Sequence, residues 1–233
     1  MTRLPNDRSP GGITASFRRA GEILRNEGVR SLWIKFLGET IYRRLLLIEK
    51  EIHALALAGP ENLELEFRLL SKEEVDEYYD FRAYVDRDTI AGRLEQGNFC
   101  FVVRCEGVII HGCWAATGRT AIDYLKCDVQ LARDVVYVYE VFTSPQFRGH
   151  SISAWRSCEM EKYCLANGYR RLLAAVSPEN HAVFRSIEKV GYAVAGKMGY
   201  WGFGRFRRYF CHNREDNTPL VLLTPPTPGS NES

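Results

Sequence analysis

The sequence has no cysteine pair at CxxC spacing, although it holds seven cysteines, at 100, 105, 113, 127, 158, 164 and 211. An odd number at irregular spacing argues against a disulfide framework or a zinc site. Several of them sit in apolar runs such as NFCFVVRC, where a thiol packs as a small hydrophobe. The expectation is a reduced, cytoplasmic protein without a metal. No apolar run reaches the roughly 18 residues of a membrane-spanning helix, and the opening MTRLPNDRSPGG lacks the apolar stretch of a secretory signal. Charge of one sign is also lacking. Lys and Arg number 31 against 29 Asp and Glu, a net +2 that makes no case for a polyanionic partner such as nucleic acid. No internal repeat is visible.

What is there suffices for a core: 233 residues, 45% of them hydrophobic and 12% aromatic. Charge is unevenly spread. Residues 1–50 carry ten basic and five acidic side chains, residues 51–97 five basic and twelve acidic. From Ile13 to Leu57 apolar residues including Leu32, Phe36, Ile41, Leu45 and Ile48 recur at helical spacing among Arg and Lys. The Gly59-Pro60 pair then punctuates the chain. These features predict a basic helical extension over 1–58, a main domain over 59–214 and a disordered tail over 215–233.

Within the main domain, LELEFRLL alternates as a strand. SKEEVDEYY opens a helix with Ser71 and Glu74 at capping-box spacing, and RDTIAGRLEQ forms a second. NFCFVVRCEGVIIHGCWAAT reads as a hairpin turning at Glu106-Gly107, while GRTAIDYLKCDVQLARD is ambiguous between strand and loop. VVYVYEVFT is a strand. ISAWRSCEMEKYCLANG is a helix with Ala154, Cys158 and Leu165 on one stripe and Gly168 at its end. RRLLAAVS is a buried strand, ENHAVFRSIEKVG a helix, and YAVAGKMGYW with RFRRYFCH a closing hairpin. The order is that of an α/β (α+β) domain on a mixed sheet.

The segment SPQFRGHSISAWRS, Ser144 to Ser157, joins a strand to a helix through a tight polar turn. Amides at a helix start lack internal partners and lie at the positive end of the helix dipole, so such a turn suits a phosphate or pyrophosphate. A solvated connection is the alternative. Gln146-Phe147-Arg148-Gly149-His150-Ser151 resembles the [QR]-x-x-G-x-[GA] signature of the GNAT superfamily of acyl-CoA-dependent N-acyltransferases, with Ser151 in place of Gly or Ala. Downstream, NHAVFRSIEKVGYAVAG resembles that family's second motif, and the likeness covers about Leu63 to His212.

The resemblance implies a mostly antiparallel mixed sheet whose fourth and fifth strands splay apart around the pantetheine arm of acetyl-CoA. It implies backbone contacts from Val141, Phe142 and Thr143, and amides from Arg148, Gly149, His150, Ser151 and Ile152 on the pyrophosphate. Asn180 would touch the CoA arm. The reaction would be direct attack of an amine on the thioester. Many members place a Tyr seven residues after the motif Asn, where this chain has Ile187; Tyr192 and Tyr139 are the replacements for that acid. Glu140, an ionisable residue in an apolar strand, is the candidate base, the rival reading being a Glu paired across the sheet to an Arg. His111 is a weaker base candidate, and Cys113 and Cys158 lack partners for nucleophilic work.

The aromatic and basic run Gly199 to Arg214 reads as a terminal hairpin rather than a nucleic-acid platform. The N-terminal helices have two readings: packing on the domain or on a second subunit as a homodimer, or peripheral contact with the inner face of a membrane. Three functions stay open. They are acetyl transfer to a small-molecule amine, long-chain acyl transfer to a cell-envelope lipid or sugar, and CoA or partner binding without turnover.

Overall fold

The computed structural model describes residues 41–53, 59–60, 62–82, 84–180, 191–203, 206–213 and 221–224. The chain divides into two compact units, Arg44–Gly199 with Tyr209–Ser233, and Met1–Arg43 with Tyr200–Arg208. The candidate site lies in the first.

The strands are β1 (Tyr42–Glu51), β2 (Leu65–Leu69), β3 (Phe99–Cys105), β4 (Val108–Ala116), β5 (Arg119–Ile122), β6 (Cys127–Leu131), β7 (Val135–Thr143), β8 (Arg171–Val176), β9 (Ala193–Trp201), β10 (Arg208–Asn213) and β11 (Val221–Thr224). The helices are α1 (Val75–Phe81), α2 (Arg87–Glu95) and α3 (Ile152–Ala166). The main sheet runs β10-β9-β1-β8-β7-β4-β3-β2, and β11-β6-β5 form a second, three-stranded sheet. In the described registers the pairing is antiparallel except between β7 and β8. This is the mixed, mostly antiparallel sheet expected.

The local signals behave as their chemistry dictates. The Ser71 amide donates to the Glu74 carboxylate at 2.9 Å, ahead of α1. Asp86 caps α2 by accepting from the Thr89 amide at 2.8 Å. The β3–β4 hairpin turns on Glu106 and Gly107, both at positive φ (51° and 79°) as a tight two-residue turn requires. Side chains of β3 alternate between two buried faces. Phe101 packs with Met160 and Cys164 of α3, while Cys100 and Val102 pack with Tyr78 of α1 and Ile90 of α2. A strand covered on both sides is hydrophobic throughout, which explains FCFVV.

Three expectations need correcting. Residues 42–51, read as helical, form β1, which pairs with β8 from Leu46↔Val176 to Glu51↔Arg171. The apolar run Leu45–Ile48 suits either period, and the open edge of β8 decides between them. Lys50 of β1 also reaches Glu161 of α3 at 2.6 Å, both buried. Strand β1 thus joins the main sheet, although it precedes the expected boundary at residue 58. The tail read as disordered contributes β11, whose Leu222 and Leu223 face Gln130 and Val129 of β6, and the ambiguous segment 119–131 is the β5–β6 hairpin. The buried stripe of α3 is Ile152, Arg156, Met160 and Cys164, not the one through Ala154, Cys158 and Leu165. The extension up to residue 40, with its dimer and membrane readings, lies outside the described residues, as does the helix expected over 181–190. Among the described residues no helix is long and apolar enough to cross a membrane.

Candidate functional site

Strand β7 is regular through Tyr139 and then breaks its ladder. Trp114 of β4 faces Tyr139 and Gly112 faces Phe142, so Glu140 and Val141 together oppose Cys113. This is a β-bulge, with Glu140 at φ 46°. On its other side β7 pairs with β8 only from Val135↔Arg171 to Val138↔Ala174. Residues 139–143 thus have no partner in β8, and the two strands part as expected. Val141 is half exposed there.

The turn follows at once. The Ser144 amide donates to the Ile110 carbonyl (2.9 Å), Pro145–Phe147 make one 3-10 turn, and the Arg148 amide donates to Pro145 (3.3 Å). Gly149 has φ 87° and Ser151 φ 58°, both left-handed, before α3 begins at Ile152. The Ser151 carbonyl accepts from the Ala154 and Trp155 amides at 3.1 Å. Among the described residues, the amides of Gly149, His150, Ser151, Ile152 and Ser153 have no acceptor in the chain. A Cβ on Gly149 would meet nothing within 4 Å, so glycine serves the backbone angle and the approach of a ligand, not packing. Left-handed residues at such a turn gather amides into an anion-binding concavity. The turn thus leaves five amides without an acceptor among the described residues, whereas the Arg148 amide is used internally and its Nε donates to the Thr143 carbonyl at 3.2 Å.

On the α1–α2 face, Glu140 receives both Nη atoms of Arg93, at 2.6 and 2.8 Å. The ion pair weighed against the base reading is therefore formed, though its partner comes from α2 and not from the sheet. Burial acts against the Arg93 charge, but Glu140 more than offsets it and holds the guanidinium above its usual range. Arg93 also lies 5.2 Å and 5.3 Å from the Trp114 and Tyr139 ring centres. Next to it, the guanidinium carbon of Arg82 lies 4.1 Å from the ring centres of both Tyr84 and Phe142. Burial lowers its pKa, and Tyr78 and Glu140 counter part of that. Gly112 lets α1 come this close: a Cβ there would stand 2.9 Å from Tyr78.

On the α3 face the network is closed. Arg156, 4% exposed, donates from Nε to His111 Nε2 at 3.1 Å, from Nη1 to Met160 Sδ at 3.4 Å and from Nη2 to Ser153 Oγ at 3.5 Å. His111 Nε2 must accept, so its proton sits on Nδ1 and goes to Thr143 Oγ1 at 2.8 Å. Burial, then the Arg156 charge, drops the His111 pKa to about 2. His111 is thus a neutral structural imidazole with both nitrogens in use, which removes it as a base.

Tyr192 packs on the α3-side core, and burial pushes its hydroxyl well above the ordinary tyrosine range; Tyr139 shifts the same way. Asn180 is exposed past the end of β8, its amide on the Ser177 carbonyl at 3.0 Å. His181 and Ile187 lie outside the described residues. All seven cysteines are free, and burial raises the thiols of Cys127 and Cys164 to about 12, far from a reactive thiolate. No cluster of three or more His, Cys, Asp or Glu fit for a metal occurs among the described residues.

Arg82, Arg93 and Arg156 were not singled out from the sequence. Arg156 had a readable signal, since it falls at four-residue spacing between Ile152 and Met160, on an apolar stripe. Arg82 and Arg93 had none, because only the fold brings α1 and α2 to the bulge.

Residues 62–192, more than half of the chain, match the family model for the acetyltransferase (GNAT) family. No curated protein matches in sequence. Among solved structures, the chain resembles the aminoglycoside N-acetyltransferase AAC(6')-Iy in complex with CoA, at 18% identity and TM-score 0.46, over 57% of this chain and 91% of that one. It also resembles a ribosomal-protein-alanine N-acetyltransferase from Brucella melitensis biovar Abortus 2308 at 14% identity and TM-score 0.43, over 56% and 93%. A third is an aminoglycoside acetyltransferase from an uncultured soil metagenomic sample in complex with sisomicin, at 11% identity and TM-score 0.41, over 54% and 86%.

Proposed function

The chain belongs to the acetyltransferase (GNAT) family, and from that premise we propose that it carries the acetyl group of acetyl-CoA onto the amine of a small-molecule acceptor by direct attack. The observation that carries this reading is the row of amides from Gly149 to Ser153, without acceptors among the described residues, beside the gap where β7 leaves β8. Peptide N–H groups at a helix start favour a diphosphate without needing side-chain charge. The gap exposes the backbone of Val141, Phe142 and Thr143 for the pantetheine arm to run alongside, which brings the thioester to the bulge. Asn180 stands beyond the end of β8 to meet the same arm.

The amine attacks the thioester carbon from the α1–α2 side. A C–N bond forms, the C–S bond breaks, and the electron pair leaves on sulfur. The proton lost by nitrogen passes through water to Glu140, whose oxygens each keep a lone pair beyond the one given to Arg93. The thiolate is a tolerable leaving group, since its conjugate acid has a pKa of about 8.5. Tyr192 can hand it a proton, though burial makes that hydroxyl a reluctant donor. The gain over solution is chiefly positional, from holding amine and thioester in register.

Gly149→Glu tests the cradle. Its carboxylate would stand where the diphosphate belongs, and CoA binding, followed by calorimetry, should be lost. Gly149→Ala imposes the same backbone strain without charge and should weaken binding far less. Normal CoA affinity in the Glu variant would move the cofactor elsewhere. Glu140→Gln should lower turnover at unchanged CoA affinity; unaltered turnover across pH would dismiss Glu140 as the base. CoA binding with no thiol released to any amine would leave only a binding module.

A further inference from the structure

Arg82 is 9% exposed, and its guanidinium carbon lies 4.1 Å from the ring centres of both Tyr84 and Phe142. A guanidinium meets an anion at its edge, which carries five N–H donors. Among the described residues that edge has one acceptor, the Tyr84 hydroxyl. Its neighbours are supplied differently. Arg104 holds Glu74 and Glu77, and Arg93 takes both oxygens of Glu140. Arg82 has no carboxylate within ion-pairing distance among the described residues. A second cation, Arg148 of the turn, lies 5.8 Å from the centre of the same Phe142 ring, and its side chain bonds to the neutral Thr143 carbonyl. Two guanidiniums thus converge on one aromatic ring while the carboxylate beside it is already engaged. A largely buried cation without an anion is costly to keep. A bound anion would offset that cost.

The position says where the anion comes from. Phe142 lies in the stretch of β7 that has left β8, next to the backbone assigned above to the pantetheine arm. Arg82 approaches it from the α1 side, opposite the α3 face, so the CoA diphosphate at residues 149–153 is served by other groups.

We propose that the acceptor is an amine that also bears an anionic group, a carboxylate or a phosphate, received by the N–H edge of Arg82 while the amino group is presented to the thioester beside Phe142. This rests on the acetyl-transfer reading. It also disfavours polycationic acceptors, whose ammonium groups would face Arg82, Arg93 and Arg148 with Glu140 already taken.

The test compares matched amines with the full chain and acetyl-CoA: glycine against glycinamide, glucosamine 6-phosphate against glucosamine, and kanamycin as the polycation. Thiol release gives kcat/KM, and thermal shift in the presence of CoA gives binding apart from turnover. The expected result is that one anionic member exceeds its neutral counterpart by about tenfold to a hundredfold, the range of a charge-assisted pair. That ratio should fall toward one in Arg82→Gln and recover in part in Arg82→Lys. The carboxylate and phosphate arms identify which anion is used. Equal or better service of neutral amines or kanamycin would overturn the proposal. So would a ratio that survives Arg82→Gln, or anionic amines that neither turn over nor raise Tm. If CoA itself fails to stabilise the protein, the acetyl-transfer reading has failed and this inference goes with it.

Discussion

Two guanidiniums flank the parted strand, one on each face of the sheet, and neither has a carboxylate partner among the described residues. On the α3 side Arg156 finds an imidazole nitrogen, a thioether and a hydroxyl, and it is sealed from solvent. On the α1 side Arg82 lies against the Tyr84 and Phe142 rings and, among the described residues, has one acceptor, the Tyr84 hydroxyl. Missing a counter-ion therefore means two different things. Where neutral acceptors occupy the donors, the cation belongs to the architecture and fixes the tautomer of His111. Where the donors remain available beside the parted strand, we propose a ligand for the cation.

The largest effect that could break this comparison is on the closed face. His111→Leu fills the same space with carbon but leaves Arg156 Nε without an acceptor in the core, at a cost of about 3 kcal/mol. The matching change on the open face, Arg82→Gln, forfeits contacts with two rings but relieves the cost of a buried cation, and should change stability by less than about 1 kcal/mol. Urea unfolding of the two variants at pH 7.5 measures both. Equal losses would mean that the two faces do not differ as argued.

A smaller effect sharpens the assignment of His111. Its folded pKa of about 2 lies below the ordinary 6.5. Above pH 6.5 neither the folded nor the unfolded chain holds that proton. As pH falls below 6.5 the unfolded chain binds it and the folded chain does not, so stability drops by about 1.4 kcal/mol per pH unit. The leucine variant lacks this dependence, and its deficit should narrow by about 2 kcal/mol between pH 6.5 and 5. A constant deficit over that interval would show a histidine that titrates alike in the folded and unfolded chains, and a widening one a histidine that is charged when folded.

How much of this was legible in the sequence follows from the range of each interaction. The β3–β4 hairpin, the capping box at Ser71 and Glu74, strand β7 and helix α3 are set by residues close in sequence, and they are found where expected. The turn between β7 and α3 was legible because its motif is contiguous. β1 was not, since its partner strand lies more than a hundred residues away and its own apolar run fits helix or strand. The bulge was likewise invisible: VVYVYEVFT gives no sign that Glu140 and Val141 share one partner. The rivalry between base and ion pair at Glu140 could not be resolved from β7 alone, because Arg93 arrives on a helix whose own sequence shows no link to that strand.

Backbone strain supplies the smallest effect. Among the described residues four non-glycine residues have positive φ: Glu106 and Lys126 turn hairpins, while Glu140 lies at the bulge and Ser151 in the turn before α3. The departure from the family signature at Ser151 is thus one of backbone angle more than of size. A left-handed non-glycine residue carries about 1–2 kcal/mol of strain, against roughly 0.5–1 kcal/mol of extra chain entropy lost when glycine is ordered. Ser151→Gly should therefore raise stability by up to about 1 kcal/mol, read as an increase in the urea midpoint at constant slope. Ser151→Ala, which keeps the strain, should not. Glycine also loosens the empty turn, so CoA should bind the glycine variant slightly more weakly than the serine form, the cradle having to be ordered on binding. If both variants are equally stable, Ser151 is not strained and the turn is held by something other than its backbone angle.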